Sequence, residues 1–254
     1  SERHKNKTSE KYSFISTNRI VNVFEENNFK LMDIQETFAR KDIDKGFQKH
    51  LLTFRHFENL VNVNKKNSID IVCLNSHNGT SPLKLMLMNL EFACLNGLIV
   101  GERFQDYKIY HRGFTDNKVN NAIENILTQT GEIESLRSEM QNKILHNNVK
   151  RDFAKQSLDI FFNNGFNRNK FNEFETIERL NKPQRIEDNN NSLWSQFNIV
   201  QEKMISGCNT NTSQKGFLVK SNFDIKTNNP INAIDRKVKI NRNLWDLAES
   251  YLNN

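Results

Sequence analysis

The feature that most restricts the fold is a change of hydrophobic period near residue 112. Before it, short apolar runs alternate with polar turns: FKLMDIQETFA, GFQKHLLTFRHF, SIDIVCLN, LKLMLM and RFQDYKIYH. This rhythm is typical of an antiparallel meander of four to five strands. After it, apolar residues recur about every 3.6 positions from Val119 to Ile144, which predicts a long helix interrupted at Gly131. The sequence therefore predicts an α+β fold in which helices pack on a sheet.

Further helices are expected on both sides of this core. NRIVNVFEENN predicts a short helix at 18–27, capped by Thr17 or Asn18 and ended by Asn27-Asn28. DFAKQSLDIFF and SLWSQFNIVQEKMIS predict two more, and Asn191 or Ser192 is placed to cap the second. We expect a mobile segment at 1–11 and one domain at 12–254. Within that domain we expect a sheet core at about 12–112, a helical part at about 116–206 and a flexible loop at about 207–230. A short extended piece and a C-terminal helix at about 241–252 should follow.

The stretch VCLNSHNGTSPLKLMLMNLEFACLNGLIVG, residues 72–101, holds two cysteines, a histidine and two Asn-Gly pairs. Asn78-Gly79 lies in a polar loop between two apolar runs, and Asn96-Gly97 ends a third run, so both pairs are interpreted as turns. This favours a hairpin within the sheet, with buried thiols.

Three kinds of active site remain as alternatives. Cys73, His77, Cys94 and His111 have side chains that bind zinc, but they lack the close ligand pairs of structural zinc sites. A cysteine–histidine nucleophilic pair from the same residues is chemically possible. The carboxylates that could hold magnesium in a nuclease are Asp70, Glu91, Asp106, Glu132 and Glu134. Phosphate-loop, GxSxG and HExxH motifs are absent, so we expect no enzyme, no metal and no cofactor.

Composition restricts the compartment and the partner. The formal net charge is +6 and the sequence pI is about 9.1, which favours a basic face and an acidic partner such as nucleic acid. Three cysteines without a CxxC pair favour a reducing cytoplasm. No apolar run approaches the roughly 18 residues that span a bilayer, and SERHKNKTSEKYS lacks the apolar centre of a secretion signal, so no membrane partner is expected.

Basic residues interleaved with aromatic ones predict a nucleic-acid-binding track. In GFQKHLLTFRHF, strand alternation places Lys49 and Arg55 on one face with Leu51 and Thr53. The alternative is a solvated charged face beside ordinary core aromatics. The predicted binding residues are Arg40, Lys45, Lys49, His50 and Arg55, continued by Arg103, Lys108 and Arg112, with a second cluster at Lys237, Lys239 and Arg242.

Several segments together resemble one known family. KYSFIST, NNF, QKHLLTFR, VCLNSHNGTS, LEFACLNGLIVG, LWSQFNIVQEKMISG and INRNLWDLAE are similar, in order over about residues 8–252, to motifs of a family of phage, prophage and plasmid proteins catalogued as domain of unknown function 932. The family usually has an acidic residue where Asn78 stands and proline where Ser16 stands, which weakens a catalytic role for position 78. The resemblance implies a mobile element whose neighbouring genes serve recombination, anti-restriction or toxin–antitoxin functions.

The predicted topology is also similar to the core of Rad52-type annealing proteins, which is a resemblance in fold only. We therefore expect a non-enzymatic, cytoplasmic protein that binds single-stranded DNA, forms a homo-oligomer and aids annealing, recombination or protection of DNA. The alternatives are an interaction protein that counteracts or regulates a host defence or recombination factor, and a metal-dependent nuclease or other enzyme.

Overall fold

The computed structural model describes residues 10–37, 45–61, 67–91, 96–99, 104, 106–164, 171–183, 190–206, 218–220, 225–226, 231 and 233–253. The helices are α1 Thr17–Glu26, α2 Phe57–Val61, α3 Asp116–Leu127, α4 Thr130–Asn142, α5 Asn147–Asn163, α6 Glu173–Asn181, α7 Leu193–Ser206 and α8 Ile234–Ser250. The strands are β1 Phe29–Glu36, β2 Lys49–His56, β3 Asn67–Ser76, β4 Leu83–Glu91, β5 Asn96–Ile99, β6 Tyr107–Ile109, β7 Leu218–Val219 and β8 Ile225–Lys226. The predicted α+β class is confirmed.

The chain divides into two compact units. A sheet unit comprises residues 1–100 and 104–131, and a helical unit comprises 101–103 and 132–254. The sequence predicts one domain over 12–254, whereas the structure divides that range within α4. The reason is that α1 and α3 pack on the sheet, while α5, α6, α7 and α8 pack on one another.

The large sheet is an antiparallel meander. Strands β1 to β5 pair in chain order, and the short β6 pairs with β4 beside β5. The register places Leu52 opposite Cys73 and Cys73 opposite Leu85, so these three fully buried side chains share one face. On the same side the ring of Phe24 in α1 stacks on Phe54 of β2 with centroids 3.8 Å apart. One face of the sheet is thus the core of the unit.

The first helix begins and ends close to its predicted bounds. Its N-cap is Ser16, whose Oγ accepts from the amide of Arg19 at 3.2 Å, rather than Thr17 or Asn18. It ends at Asn27-Asn28 as predicted, because Asn28 adopts the left-handed conformation (φ 62°) that asparagine tolerates after a helix.

Two predicted breaks lie elsewhere. Asn96 and Gly97 were expected in a turn, but they belong to β5, where they pair with Glu91 and Leu90 of β4. The helical segment expected to break at Gly131 breaks at 128–129, between α3 and α4. Asn78-Gly79 is confirmed as a turn: Gly79 has φ 74°, and Asn78 Oδ1 accepts from the backbone amide of Thr80 at 3.1 Å.

In the helical unit, α7 is buried along most of its length and contacts α5, α6 and α8. Ser192 caps it as predicted, accepting from the amide of Ser195 at 3.1 Å. The C-terminal helix begins at Ile234 instead of 241, so the expected extended piece is helical. α6 was not predicted from the sequence.

Two predicted segments fall largely outside the described residues. These are the mobile segment at 1–11, described only from residue 10, and the flexible loop at 207–230, of which the described parts form the two-stranded pair β7–β8 and a bridge from Lys220 to Phe171. No helix in the described part of the chain is both long and apolar enough to cross a membrane.

Candidate nucleic-acid interface

The predicted basic residues lie in very different environments. Arg40 and Arg103 are outside the described residues. In the sheet unit Lys45, Lys108 and Arg112 are exposed and Lys49 is half-buried, whereas His50 and Arg55 are buried. In the helical unit Lys239 is exposed and Lys237 and Arg242 are half-buried, all on α8. Among the described residues of the sheet unit, His50 and Arg55 therefore do not belong to a solvated track.

Arg55 is not placed to bind a phosphate backbone. It shares a face with Leu51 and Thr53, as the alternation predicts, but that face is buried at these positions. Its Nε donates to Asp70 Oδ1 at 3.0 Å and its Nη2 donates to Asp70 Oδ2 at 2.9 Å. Ser68 Oγ also donates to this carboxylate, at 2.8 Å. The guanidinium of Arg55 is therefore paired with a carboxylate inside the sheet unit, which disfavours the predicted contact with a phosphate backbone.

His50 belongs to a group of three buried histidines with His77 and His111. The rings of His50 and His77 lie 4.7 Å apart, edge to face. His50 Nδ1 lies 3.2 Å from the carbonyl oxygen of Gln48, and its Nε2 lies 3.3 Å from Thr17 Oγ1. Burial lowers the pKa of all three imidazoles, and the charge of His50 further lowers the pKa of His77. His50 is therefore a buried residue, and its burial disfavours the predicted contact with DNA.

We expect acidification to destabilise the protein through these histidines. The unfolded imidazoles take up protons near their ordinary pKa of about 6.5, while the folded ones resist protonation. Above that pKa the stabilisation by the neutral imidazoles is complete. As the pH falls from there through the lowered pKa values of the folded protein, the free energy of unfolding decreases. The decrease is up to about 1.4 kcal/mol per pH unit for each proton that the unfolded state binds in excess of the folded state. Urea unfolding between pH 7.5 and 5.5 measures this. His50→Gln should make the decline shallower, and an equal decline in the variant and the wild type would contradict the assignment.

A basic cleft lies between β6 with its following turn and the surface of α3. Its volume is about 350 Å³. The lining residues are Tyr107, Lys108, Ile109, Tyr110, Arg112, Lys118, Asn121, Ala122 and Asn125. Three of these nine carry a positive charge and none carries a negative one. We call this the basic cleft.

The wall of the basic cleft is a turn that presents polar groups to solvent. Tyr110 is 68% exposed, so a ligand can reach its side chain. Gly113 has φ 65°, a conformation that favours glycine, and its carbonyl accepts from Lys118 Nζ at 2.6 Å. An ammonium has three N–H donors, so Lys118 has two further donors while it holds the turn.

The charges around the cleft favour an anion. Lys84 of β4 lies directly opposite Lys108 of β6, and like charges at opposed positions of neighbouring strands repel. Asp116, at the start of α3, is already neutralised by Arg19, whose Nε and Nη2 donate to its two oxygens at 2.7 and 3.1 Å.

Two of the cleft's cations, Lys108 and Arg112, were predicted from the sequence, whereas Lys118 was not. A signal for the helical wall was present: Lys118, Asn121 and Asn125 recur at helical spacing beside the buried stripe of α3, to which Ala122 belongs. The sequence does not show that these cleft-lining residues of α3 face the turn after β6, because their direction depends on how α3 packs on the sheet.

The described residues offer little support for the alternative active sites. Cys73 is fully buried and burial raises the pKa of its thiol, which disfavours the nucleophilic thiolate. Cys94 is outside the described residues, and among the described ones no three histidine, cysteine or acidic side chains are grouped to hold a metal ion. Asp70 is engaged by Arg55.

A family model described as "Domain of unknown function (DUF932)" matches residues 6–245. The chain belongs to the DUF932 family. Two curated relatives of this DUF932 protein are the UPF0380 proteins YfjQ and YafZ of Escherichia coli (strain K12). Each is 27% identical over 244 residues, which cover 96% of this chain and 84% of the relative. No solved structure matches the chain, so the likeness to Rad52-type proteins stays a prediction from topology.

Proposed function

We propose that this DUF932 protein is a non-enzymatic protein that binds single-stranded DNA through the basic cleft of its sheet unit. The observation that carries the proposal is the lining of the cleft: three cations, no carboxylate and two tyrosines around one opening. Phosphates would be held by Lys108, Arg112 and Lys118. Such contacts release counter-ions and give an affinity that falls steeply with salt.

Tyr110 supports single strands over duplex as the ligand. A ring 68% exposed beside cations offers a stacking surface, and a base can stack on it only when it is not already stacked within a duplex. Stacking accepts every base, because each has a π-face, so sequence preference should be slight. The basic net charge supports the same class of ligand.

The proposed cellular role rests on two resemblances. The resemblance to proteins of mobile elements and the topological likeness to annealing proteins support a role in annealing, recombination or protection of an element's DNA. The names of the E. coli relatives state no activity. A homo-oligomer would place several clefts along one strand, and light scattering with and without an oligonucleotide measures the mass.

Replacing Lys108, Arg112 and Lys118 together with alanine should weaken binding to a labelled single-stranded oligonucleotide by roughly 10- to 100-fold near 100 mM salt. The slope of log affinity against log salt should become shallower by about 2, or roughly 0.7 for each phosphate that the variant no longer neutralises. Fluorescence anisotropy over a range of salt measures both quantities. Circular dichroism checks the fold, which should survive because exposed charges contribute little to stability.

Two matched variants make the test specific. Alanine at Lys237, Lys239 and Arg242 removes the second predicted cluster, and alanine at Lys143, Lys150 and Lys155 removes three cations of the helical unit outside both clusters. Only the cleft variant should lose affinity and slope. If the α8 variant loses affinity for the oligonucleotide instead, the DNA-binding surface lies on the helical unit. If the wild type binds single-stranded RNA more tightly than single-stranded DNA, RNA is the ligand. If the wild type binds no oligonucleotide at low salt, the interaction-protein alternative replaces the proposal.

A further inference from the structure

We infer that His111 is a positioning residue for the basic cleft, and that it makes the cleft wall depend on the N-terminal segment at residues 12–16. The inference rests on the proposed function, since it concerns how the same cleft is held ready for DNA. The role of His111 is nevertheless distinct from direct binding of DNA, because His111 does not line the cleft.

His111 lies between two exposed cleft residues but faces the other way. Tyr110 and Arg112 are exposed, whereas His111 is only 7% exposed. Its Nδ1 lies 3.2 Å from the carbonyl oxygen of Ser13, 98 positions away in sequence. Its Nε2 lies 3.3 Å from the carbonyl oxygen of Ser81, in the loop between β3 and β4. One side chain therefore joins the cleft wall to two segments distant in the chain.

Tyr12 completes this junction from the N-terminal side. Its ring stacks on the imidazole of His111 with centroids 4.4 Å apart. Its hydroxyl donates to the carbonyl oxygen of Ser76 at 3.2 Å, at the end of β3. Burial raises the pKa of Tyr12 to about 12, so the phenol keeps its proton and its donor role at neutral pH. The segment at 12–16 is thus fixed to the same loop that His111 contacts.

Besides His111, Lys118 holds the turn after β6, because its Nζ donates to the carbonyl oxygen of Gly113. β6 has only three residues, and the wall beyond it runs through Gly113, which allows the most backbone freedom. If His111 is removed, Tyr110 and Arg112 should sample more orientations in the free protein. Binding must then order them, and that ordering opposes affinity without removing any contact made in the complex.

The two ring nitrogens allow the two contacts to be tested separately. A neutral imidazole has a single N–H, so it donates to only one of the two carbonyls at a time. The amide of an asparagine side chain lies near the position of Nδ1, and that of glutamine reaches the position of Nε2. His111→Asn can therefore keep the contact with Ser13, and His111→Gln can keep the contact with Ser81.

The experiment measures two quantities on the full chain: hydrogen–deuterium exchange of peptides covering 106–114, and affinity for a single-stranded oligonucleotide across salt. His111→Ala should speed exchange at 106–114 and weaken binding about 10- to 100-fold, with an unchanged salt slope because the phosphate contacts remain. His111→Asn should recover most of the affinity, and His111→Gln should recover less. His146→Ala, at an exposed histidine of the helical unit, should change neither quantity.

Distinct outcomes separate this inference from the proposed function. It is overturned if exchange at 106–114 is unchanged by His111→Ala, if a binding-competent wild type loses no affinity in that variant, or if only glutamine restores binding. If the wild type binds no DNA but His111→Ala speeds exchange, the proposed function fails and the coupling of the turn to residues 12–16 stands. Should His111→Ala not fold, Tyr12→Leu removes the ring stack and the hydroxyl instead. The same changes in exchange, affinity and slope are expected of it, and their absence counts against the inference.

Discussion

Replacing Asp70 with alanine should lower the free energy of unfolding by about 3 to 5 kcal/mol, because it leaves the buried guanidinium of Arg55 without this counter-ion. Asp70 is fully buried, and it accepts from Arg55 through both oxygens and from Ser68 through one. The carboxylate and the guanidinium were both taken out of water when the sheet formed. Their mutual attraction offsets that desolvation only while both are present.

Urea unfolding followed by circular dichroism measures this change, with exchange of β3 peptides identifying the sheet unit as the part affected. The matched control is Asp116→Ala, which breaks an ion pair of the same type with Arg19. That pair is 44–47% exposed, so its removal should cost no more than about 1 kcal/mol. Arg55→Met with Asp70→Leu removes both charges together and should recover most of the stability. A decrease below about 1 kcal/mol in Asp70→Ala would show that Arg55 is solvated in the folded protein.

Arg55 also shows where reasoning from the sequence reaches its limit. The alternation of β2 correctly places Arg55 on one face with Leu51 and Thr53, because side-chain direction in a strand is a local property. Whether that face is solvated is not local. It depends on β3, where the register brings Asp70 beside Arg55 from 15 residues away. The carboxylate of Asp70 pairs with the guanidinium that the sequence had suggested as a DNA contact.

The same distinction explains the elements. Helical periodicity predicted α1, α5 and α7, the capping candidate Ser192 predicted the start of α7, and turn chemistry predicted Asn78-Gly79, since each signal lies within a few residues. Asn96-Gly97 carries the same turn signal but pairs within β5, where contact with β4 outweighs local preference. The basic residues at 236–242 looked extended because polar and apolar residues alternate there, yet α8 runs through them to reach a buried C-terminal half.

Only part of the candidate site could be predicted from the sequence, for a related reason. The net charge and the basic residues near β6 indicated an acidic ligand and named Lys108 and Arg112. The opposite wall comes from α3 and the support comes from residues 12–16, and both are brought there by tertiary packing. His111 was considered as a metal ligand, but its two backbone contacts are with segments that no spacing rule relates to it.

Trp245→Ala should destabilise the helical unit by about 3 to 5 kcal/mol, the usual cost of removing a fully buried large aromatic side chain. Trp245 is completely buried on α8, and its ring meets Phe197 of α7 edge to face with centroids 6.0 Å apart. α8 also contacts α5, where Tyr251 donates to Asp152 and accepts from Gln156 just beyond the end of the helix. Removing the indole leaves a cavity between α7 and α8 that rigid neighbours fill only in part.

Phe174→Ala provides the matched control, since it deletes an aromatic ring of the same unit that is 63% exposed, and it should change stability by less than about 1 kcal/mol. Urea unfolding with exchange of peptides from α7 and α8 separates the two variants, because only Trp245→Ala should raise exchange in both helices. Truncation before Arg242 removes the same anchor with most of its helix, so it should yield protein whose helical unit does not fold. A truncated chain that melts cooperatively, with protected α7 amides, would show that α8 is an appendage and that the core of the unit lies among α5, α6 and α7 alone.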